Sequence, residues 1–364
     1  MHSLIIQAGP KALAHLREHG LRGQDIAIVP AAAGGPEGLI FQHLDQWLFG
    51  NWLPSAPRER TLIGASIGAW RMAAACHADP VAAFQRLSDL YCEQSYPHRP
   101  SARFVSQSCK NLLENLIGGH ETEILGHPHF RLQLLATRGR GLLKAPRTDT
   151  SVSIGFGIAA FGNLLSRSQL ANHLARVVFY DQRDPAFWLK AKFDAFNTGF
   201  APLSPHNIAS ALLASGTLPL TMEPVRHIPQ APLGTYWDGG LIDYHLALPY
   251  SRAAGNPEGG LVLYPHFAGQ IIPSWLDKPL PWRRAHFGRN HDWLDNVIMV
   301  SPSPAFLQTL SRGKLPDRKD FHYYGTNNAY RVLNWKLAIA EGERLRDTLA
   351  QFVEKPNLEQ VRAI

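Results

Sequence analysis

Residues 62–70 read LIGASIGAW, a serine between two glycines that follows an apolar run and precedes a segment with helical spacing. An apolar strand entering such a pattern and an amphipathic helix leaving it describe a sharp strand-to-helix turn. At that turn the Ser66 hydroxyl stands clear of the backbone in a strained conformation. Gly64 and Gly68 keep the neighbouring positions small, because side chains there would collide as the helix folds back over the strand. The helix N-terminus then directs free amides and its positive dipole end at developing negative charge. Two readings of Ser66 follow: an activated nucleophile, or a helix cap bonding the first-turn amides.

The same alternation extends on either side. DIAIVPAAA, 25–33, reads as a buried strand running into Gly34-Gly35-Pro36-Glu37-Gly38, and 39–49 has apolar residues at roughly helical spacing. Strands are also expected at 130–137, 176–181 and 259–264. Helices are expected at 11–19, 81–94, 103–117, 205–215 and, as one long C-terminal helix, about 327–353. Two strand–glycine turn–helix units in the opening third predict an α/β fold with a mainly parallel sheet flanked by helices and functional loops at the strands' carboxyl ends. Residues 265–293, rich in Pro, Trp and His, form an irregular region. One domain over 1–325 is expected, its motifs falling in about 25–250, with 326–364 a helical extension packed on it.

An acyl-transfer nucleophile needs donors for the oxyanion, and Gly34 and Gly35 offer backbone amides able to approach a ligand closely. A dinucleotide-binding loop fits this stretch poorly. Glu37 would set an anion beside a pyrophosphate, Pro36 removes a donor, and no acid closes a second strand about twenty residues on. For the base, Asp238 stands out in YWDGGLIDYHLALP, where Gly239 and Gly240 leave its carboxylate unobstructed at a tight turn. Burial would raise its pKa and make it a competent base. The bland reading is an Asp-Gly turn residue. Asp181 and Asp243 sit in weaker settings, and an α/β-hydrolase-type triad with His245, His266 or His291 as base is the rival scheme.

Composition narrows the classes further. The chain has 364 residues, 45% hydrophobic and 18% charged, as an ordinary globular protein does. The first twenty residues lack the features of a secretory signal, and the most apolar run, 151–165, is too short and too interrupted to cross a bilayer. Cys76, Cys92 and Cys109 have no paired spacing and read as reduced, packed thiols, so a cytoplasmic location is expected. A net charge of +7 suits contact with anionic lipid, but the cations are scattered and no nucleic-acid-binding motif accompanies them.

Taken together, Gly34 to Gly38, the Gly64–Gly68 elbow some thirty residues later and the distant Asp238-Gly239-Gly240 resemble the patatin-like phospholipase family. The segment ALLASGTLPLTMEPV also looks like that family's Ala-Ser-x-x-x-Pro stretch. The resemblance implies a patatin-like three-layer sandwich and a Ser66–Asp238 dyad without a catalytic histidine. It places the Gly34 and Gly35 amides at the oxyanion and implies hydrolysis of lipid acyl esters through an acyl-enzyme, with no cofactor. Two positions depart from the pattern: Ala33 replaces a glycine, and Glu37 replaces a basic residue. An acid there favours neutral esters, glycerides or a narrower acyl substrate over phospholipid. The usual Asn-x-Pro after the aspartate is also altered, at Tyr244-His245, with the proline at Pro249. An acyltransferase and a non-catalytic lipid- or protein-binding member of the fold are the further alternatives.

His127 with His129, and His286 with His291, lack the acid partners of a metal site and read as structural. Trp275, Trp282, Phe287 and Trp293, interleaved with Lys278, Arg283, Arg284 and Arg289, fit either a membrane-interface contact or core packing with a basic rim.

Overall fold

Strands form where the sequence carries short apolar runs, and they assemble into one sheet. The computed structural model describes residues 3–96, 99–253, 260–285 and 291–364; His286, Phe287 and Arg289 lie outside them, as does the side chain of His291. The strands are β1 (Leu4–Ala8), β2 (Ile26–Ala31), β3 (Arg60–Ala65), β4 (Phe130–Gly139), β5 (Leu174–Tyr180) and β6 (Thr198–Pro202). They continue with β7 (Val225–Arg226), β8 (Thr235–Asp238), β9 (Leu261–Pro265), β10 (Val297–Pro302) and β11 (Val361–Ala363).

Their order is β11-β1-β10-β9-β2-β3-β4-β5-β6, with β8 attached to β4 and β7 to β8. From β10 through β4 all neighbours run parallel, while β1 meets β10, and β4 meets β5 and β8, in antiparallel fashion. β2 and β3 are nearly continuous apolar strands, as expected of central strands covered on both faces.

One register decides where chemistry happens. β3 ends with Ala65 opposite Leu135 of β4. Further along β4, β8 arrives from the opposite direction and places Asp238 opposite Ala136. The last residues of β3 and β8 therefore meet nearly head-on along a single neighbour.

Helices flank the sheet. The elbow helix Ile67–Ala75 is buried throughout, packed on β3 and against the helices Pro80–Cys92 and Ile208–Gly216. A second, separate cluster of Leu143, Ala159, Leu174, Trp237 and Ile242 lies under the helix Asp149–Leu165.

Several elements differ from expectation. The helix expected at 205–215 begins at Ile208. Asn207 holds the preceding turn by accepting from the Ser204 amide at 2.9 Å and donating to the Pro202 carbonyl at 2.9 Å. The 39–49 segment is a 3-10 turn (Gly35–Phe41), a short α-helix (Gln42–Trp47) and a π turn (Leu48–Trp52) in succession. The C-terminal helix is two helices, Asn328–Glu341 and Glu343–Glu354, which divide at Gly342, where the backbone packs on the Ile40 carbonyl. β1, β10 and the 17-residue helix Asp149–Leu165 were not expected. That helix carries Gly155, Gly157 and Gly162 and is apolar on nearly every side, so neither propensity nor periodicity announces it. Among the described residues no helix is long and apolar enough to cross a membrane.

Candidate active site

Ser66 sits where the strand β3 turns into the elbow helix, with φ 55° and ψ −129°. A non-glycine residue in this region is strained and is held there only by its surroundings. Close packing explains the flanking glycines: a Cβ at Gly64 would lie 2.5 Å from the Ala69 amide nitrogen, and one at Gly68 would collide with the Ala31 carbonyl. Although Ser66 occupies the helix N-cap position, its hydroxyl makes no capping bond. Instead Oγ donates to Asp238 Oδ2 at 2.7 Å, and both residues are buried.

Ser215 locks this elbow. Its Oγ accepts from the Ser66 amide at 2.9 Å and donates to the Leu135 carbonyl at 2.6 Å, while its own carbonyl accepts from Gly239 at 3.1 Å. One residue thus ties together β4, the elbow and the Asp238 turn, the first two through its hydroxyl and the third through its carbonyl. Ser215→Ala leaves two buried backbone groups without that partner. The expected loss is about 1–3 kcal/mol of stability, read from the urea midpoint at unchanged slope.

Asp238 is held as firmly. Oδ1 accepts from the Gly240 amide at 2.7 Å, and the Asp238 amide donates to the Thr217 carbonyl at 2.7 Å. Burial raises its pKa from the usual carboxylate value, opposed by the Arg318 charge and by hydrogen bonds from Ser66 and Gly240. Asp181 and Asp243, the other sequence candidates, are committed elsewhere: Asp181 to Arg183 at 2.6 Å, and Asp243 to the buried Arg176 guanidinium at 2.7 and 2.8 Å.

The glycine loop faces the same space. The Ala33 amide donates to the Tyr244 carbonyl at 2.9 Å, so it is already taken, as is the Ser66 amide. Gly34 borders the cavity beside Ser66; a Cβ there would meet the Phe267 ring at 2.5 Å. Gly35 has φ +63°, and a Cβ on it would come within 2.9 Å of Arg318 Nε. Gly38 packs closely on Ile67, and Gly240 on Ala33.

Two cavities meet at Ser66, and Leu218, Trp275 and Arg318 line both. One, of about 340 Å³, is the more polar of the two, with Glu37, Tyr244, Lys278 and Asp317 in its wall. The other, of about 920 Å³, is bordered by Trp70, Tyr91, Val105, Cys109 and Met222. Both fall within the usual span of ligand cavities, roughly 300–1,000 Å³.

Sequence reasoning missed Arg318, which lies far from every motif; nothing in its local sequence marks it. Its side chain is open to solvent at the cavity mouth. Partial loss of hydration works against its charge, but Tyr91, Asp238 and Tyr244 raise its pKa above the usual guanidinium value. Glu37 is half-buried, and the lost hydration lifts its pKa to about 7 against the pull of Lys278, Arg318 and Lys314.

The rival histidines point elsewhere. His245 Nδ1 accepts from the Ile272 amide at 3.1 Å, His266 Nδ1 from the Ala268 amide at 3.0 Å, and burial keeps both rings neutral. Among the described residues one His/Glu group could hold an ion, His77 with His120 and Glu123, whose ligand atoms lie within 4.8 Å of one another. It stands at the far end of the elbow helix from Ser66. Hydrogen bonds account for the Glu123 carboxylate there, which accepts from the Ala78 amide at 2.6 Å and pairs with His120 at 3.0 Å.

The model of one protein family, the patatin-like phospholipases, matches residues 59–248, just over half of the chain, and so takes in the Ser66 elbow and Asp238. The chain belongs to this family. Lipid acyl hydrolysis is the class of activity that patatin-like membership supports. The matched span excludes both the Gly34–Gly35 loop and Arg318. Among solved structures, VipD from Legionella pneumophila is similar over 95% of this chain and 70% of its own, at 12% identity and a TM-score of 0.33. Human GIVD cytosolic phospholipase A2 is similar over 96% of this chain, at 10% identity and a TM-score of 0.31. This chain spans 62% of that second protein. No curated protein matches the sequence.

Proposed function

We infer that this patatin-like protein is a serine acyl hydrolase in which Ser66 is the nucleophile and Asp238 the base. The 2.7 Å hydrogen bond from Ser66 Oγ to a buried carboxylate, at the junction of two cavities, carries the reading. Oγ attacks the ester carbonyl as its proton passes to Asp238 Oδ2. The resulting oxyanion is received by the Gly34 and Gly35 amides and the first turn of the elbow helix. As the intermediate collapses, Asp238 returns the proton to the leaving alcohol, leaving an acyl-serine. The same carboxylate then takes a proton from water as the water oxygen attacks the acyl carbon, and returns that proton to Ser66 Oγ as the acid leaves.

In this reading the larger cavity receives the acyl chain, and the polar one the alcohol portion. Arg318 supplies the cation that the family usually carries in the oxyanion loop, where this chain has Glu37. With Lys278 and Arg318 facing Glu37 across the polar cavity, the acid is balanced by cations, and an anionic headgroup fits as well as a neutral one. That revises the substrate expectation drawn from Glu37 alone.

A fluorophosphonate probe tests the scheme. Mass spectrometry should locate the adduct on Ser66 together with turnover of p-nitrophenyl esters; folded protein that neither labels nor turns over would instead support the non-catalytic reading. A transferase would reveal itself by forming a new ester when an alcohol acceptor is added.

Arg318→Met has a defined sign. Arg318 lowers the Asp238 pKa, so its loss raises that pKa, and the acid limb of the kcat/KM profile should move to higher pH. Removing a cation near the developing oxyanion should also lower kcat about tenfold. An unmoved limb would show that Arg318 does not act through Asp238.

A further inference from the structure

Resting on the lipid acyl hydrolase reading, we propose that the outer face of the helix Asp149–Leu165 is a docking surface for an anionic lipid bilayer and brings the cavity mouth to its substrate. Its buried side, Val152, Gly155, Ala159 and Asn163, packs on the protein. The opposite side exposes Ile154, Ile158, Phe161, Leu164 and Leu165 at 45–72% of their surface. From Thr150 through Leu165 there is no charged residue. A half-exposed helix of this length, about 25 Å, ordinarily turns charged residues to water. One without them presents a continuous apolar stripe of the kind that marks an interaction site.

The surroundings favour a bilayer over a protein partner. Trp282, 64% exposed, stands beside the helix C-terminus, where indole side chains suit the headgroup level. Its neighbour Arg283 donates to the Asn163 carbonyl and, at 3.1 Å, to the Leu164 carbonyl, tying this loop to the helix end. Exposed Lys144 and Arg147 at one end of the stripe, and half-exposed Arg283 and Arg284 beside Trp282 at the other, form a cationic rim, and Asp149 is the one acid among the described residues 140–165. Apolar centre and basic rim match acyl chains beneath anionic headgroups.

The stripe also connects to the site. Asn163 Nδ2 donates to Asp277 Oδ1 at 2.9 Å, in the same turn as Trp275. Trp275 lines both cavities that meet at Ser66. A lipid entering beside Trp275 would leave the bilayer without crossing open water.

Cosedimentation with vesicles of equimolar phosphatidylcholine and phosphatidylglycerol tests this, using the full chain and the double variant Ile158→Glu, Phe161→Glu. The expected result is vesicle binding by the wild type, at least tenfold weaker binding by the variant, and unchanged turnover of soluble p-nitrophenyl butyrate. Phe161→Trp should retain binding. Trp282→Ala, on a separate segment, should weaken it and keeps the test open if the helix variant does not fold. Equal binding by wild type and variant, or no binding by the wild type, overturns the proposal. So does a wild-type dimer that the variant converts to monomer while neither binds vesicles, which would assign the stripe to self-association. Vesicle binding that depends on Phe161 in a protein with no ester turnover would uphold the surface while refuting the hydrolase reading.

Discussion

Ser66→Ala is expected to reduce kcat for p-nitrophenyl ester hydrolysis by about 10⁴- to 10⁶-fold, the range seen when a nucleophilic serine is lost. The size follows from chemistry, because no acyl-enzyme can form without Oγ and water must attack directly in a site built to activate a hydroxyl. Folding should survive. Alanine is no more strained than serine at φ 55°, and the Ser66 amide keeps its bond to Ser215. Buried without its partner, the Asp238 carboxylate still accepts from Gly240 at 2.7 Å and has a raised pKa, so it can protonate rather than disrupt the core. Initial rates beside circular dichroism check this; a folded variant retaining more than about a tenth of wild-type activity would remove Ser66 from the mechanism.

Asp238→Asn should cost about 10⁴-fold in kcat, comparable with the loss on replacing the acid of a catalytic triad. The amide is isosteric and can still accept from Gly240, so geometry persists while the proton acceptor is gone. The pH profile supplies a second test. Asp238 works as a base only when ionised, and burial raises its pKa above the usual carboxylate value. Activity should therefore fall as pH drops through that raised value, with the acid limb above the ordinary carboxylate range, and Asp238→Asn should abolish the limb along with the rate. His322, which lines the larger cavity, is the control for a histidine base. His322→Ala should leave kcat within about threefold, whereas a loss as large as that of Asp238→Asn would shift the role to the ring.

Much of the fold was legible because its signals are local. β2, β3 and the elbow helix read directly from apolar runs and small residues, and an α/β class follows from their alternation. Less local features escaped. β1 and β10 are edge-region strands whose pairing joins residues nearly 300 positions apart. The helix Asp149–Leu165 hides because it is apolar toward both protein and surroundings, so the period that reveals an amphipathic helix is absent.

The elbow itself follows from residue size: only glycine at 64 and 68 lets the helix close over the strand, and that constraint is written in neighbouring positions. The meeting of Ser66 with Asp238 depends instead on β4 being long enough to pair with β3 along its first part and with the reversed β8 along its second. Arg318 reaches Gly35 and Asp238 from a segment that carries no motif. Local sterics are encoded residue by residue, whereas the electrostatic field around a buried carboxylate sums over whichever segments the packed chain brings within a few ångströms. That sum exists only in three dimensions.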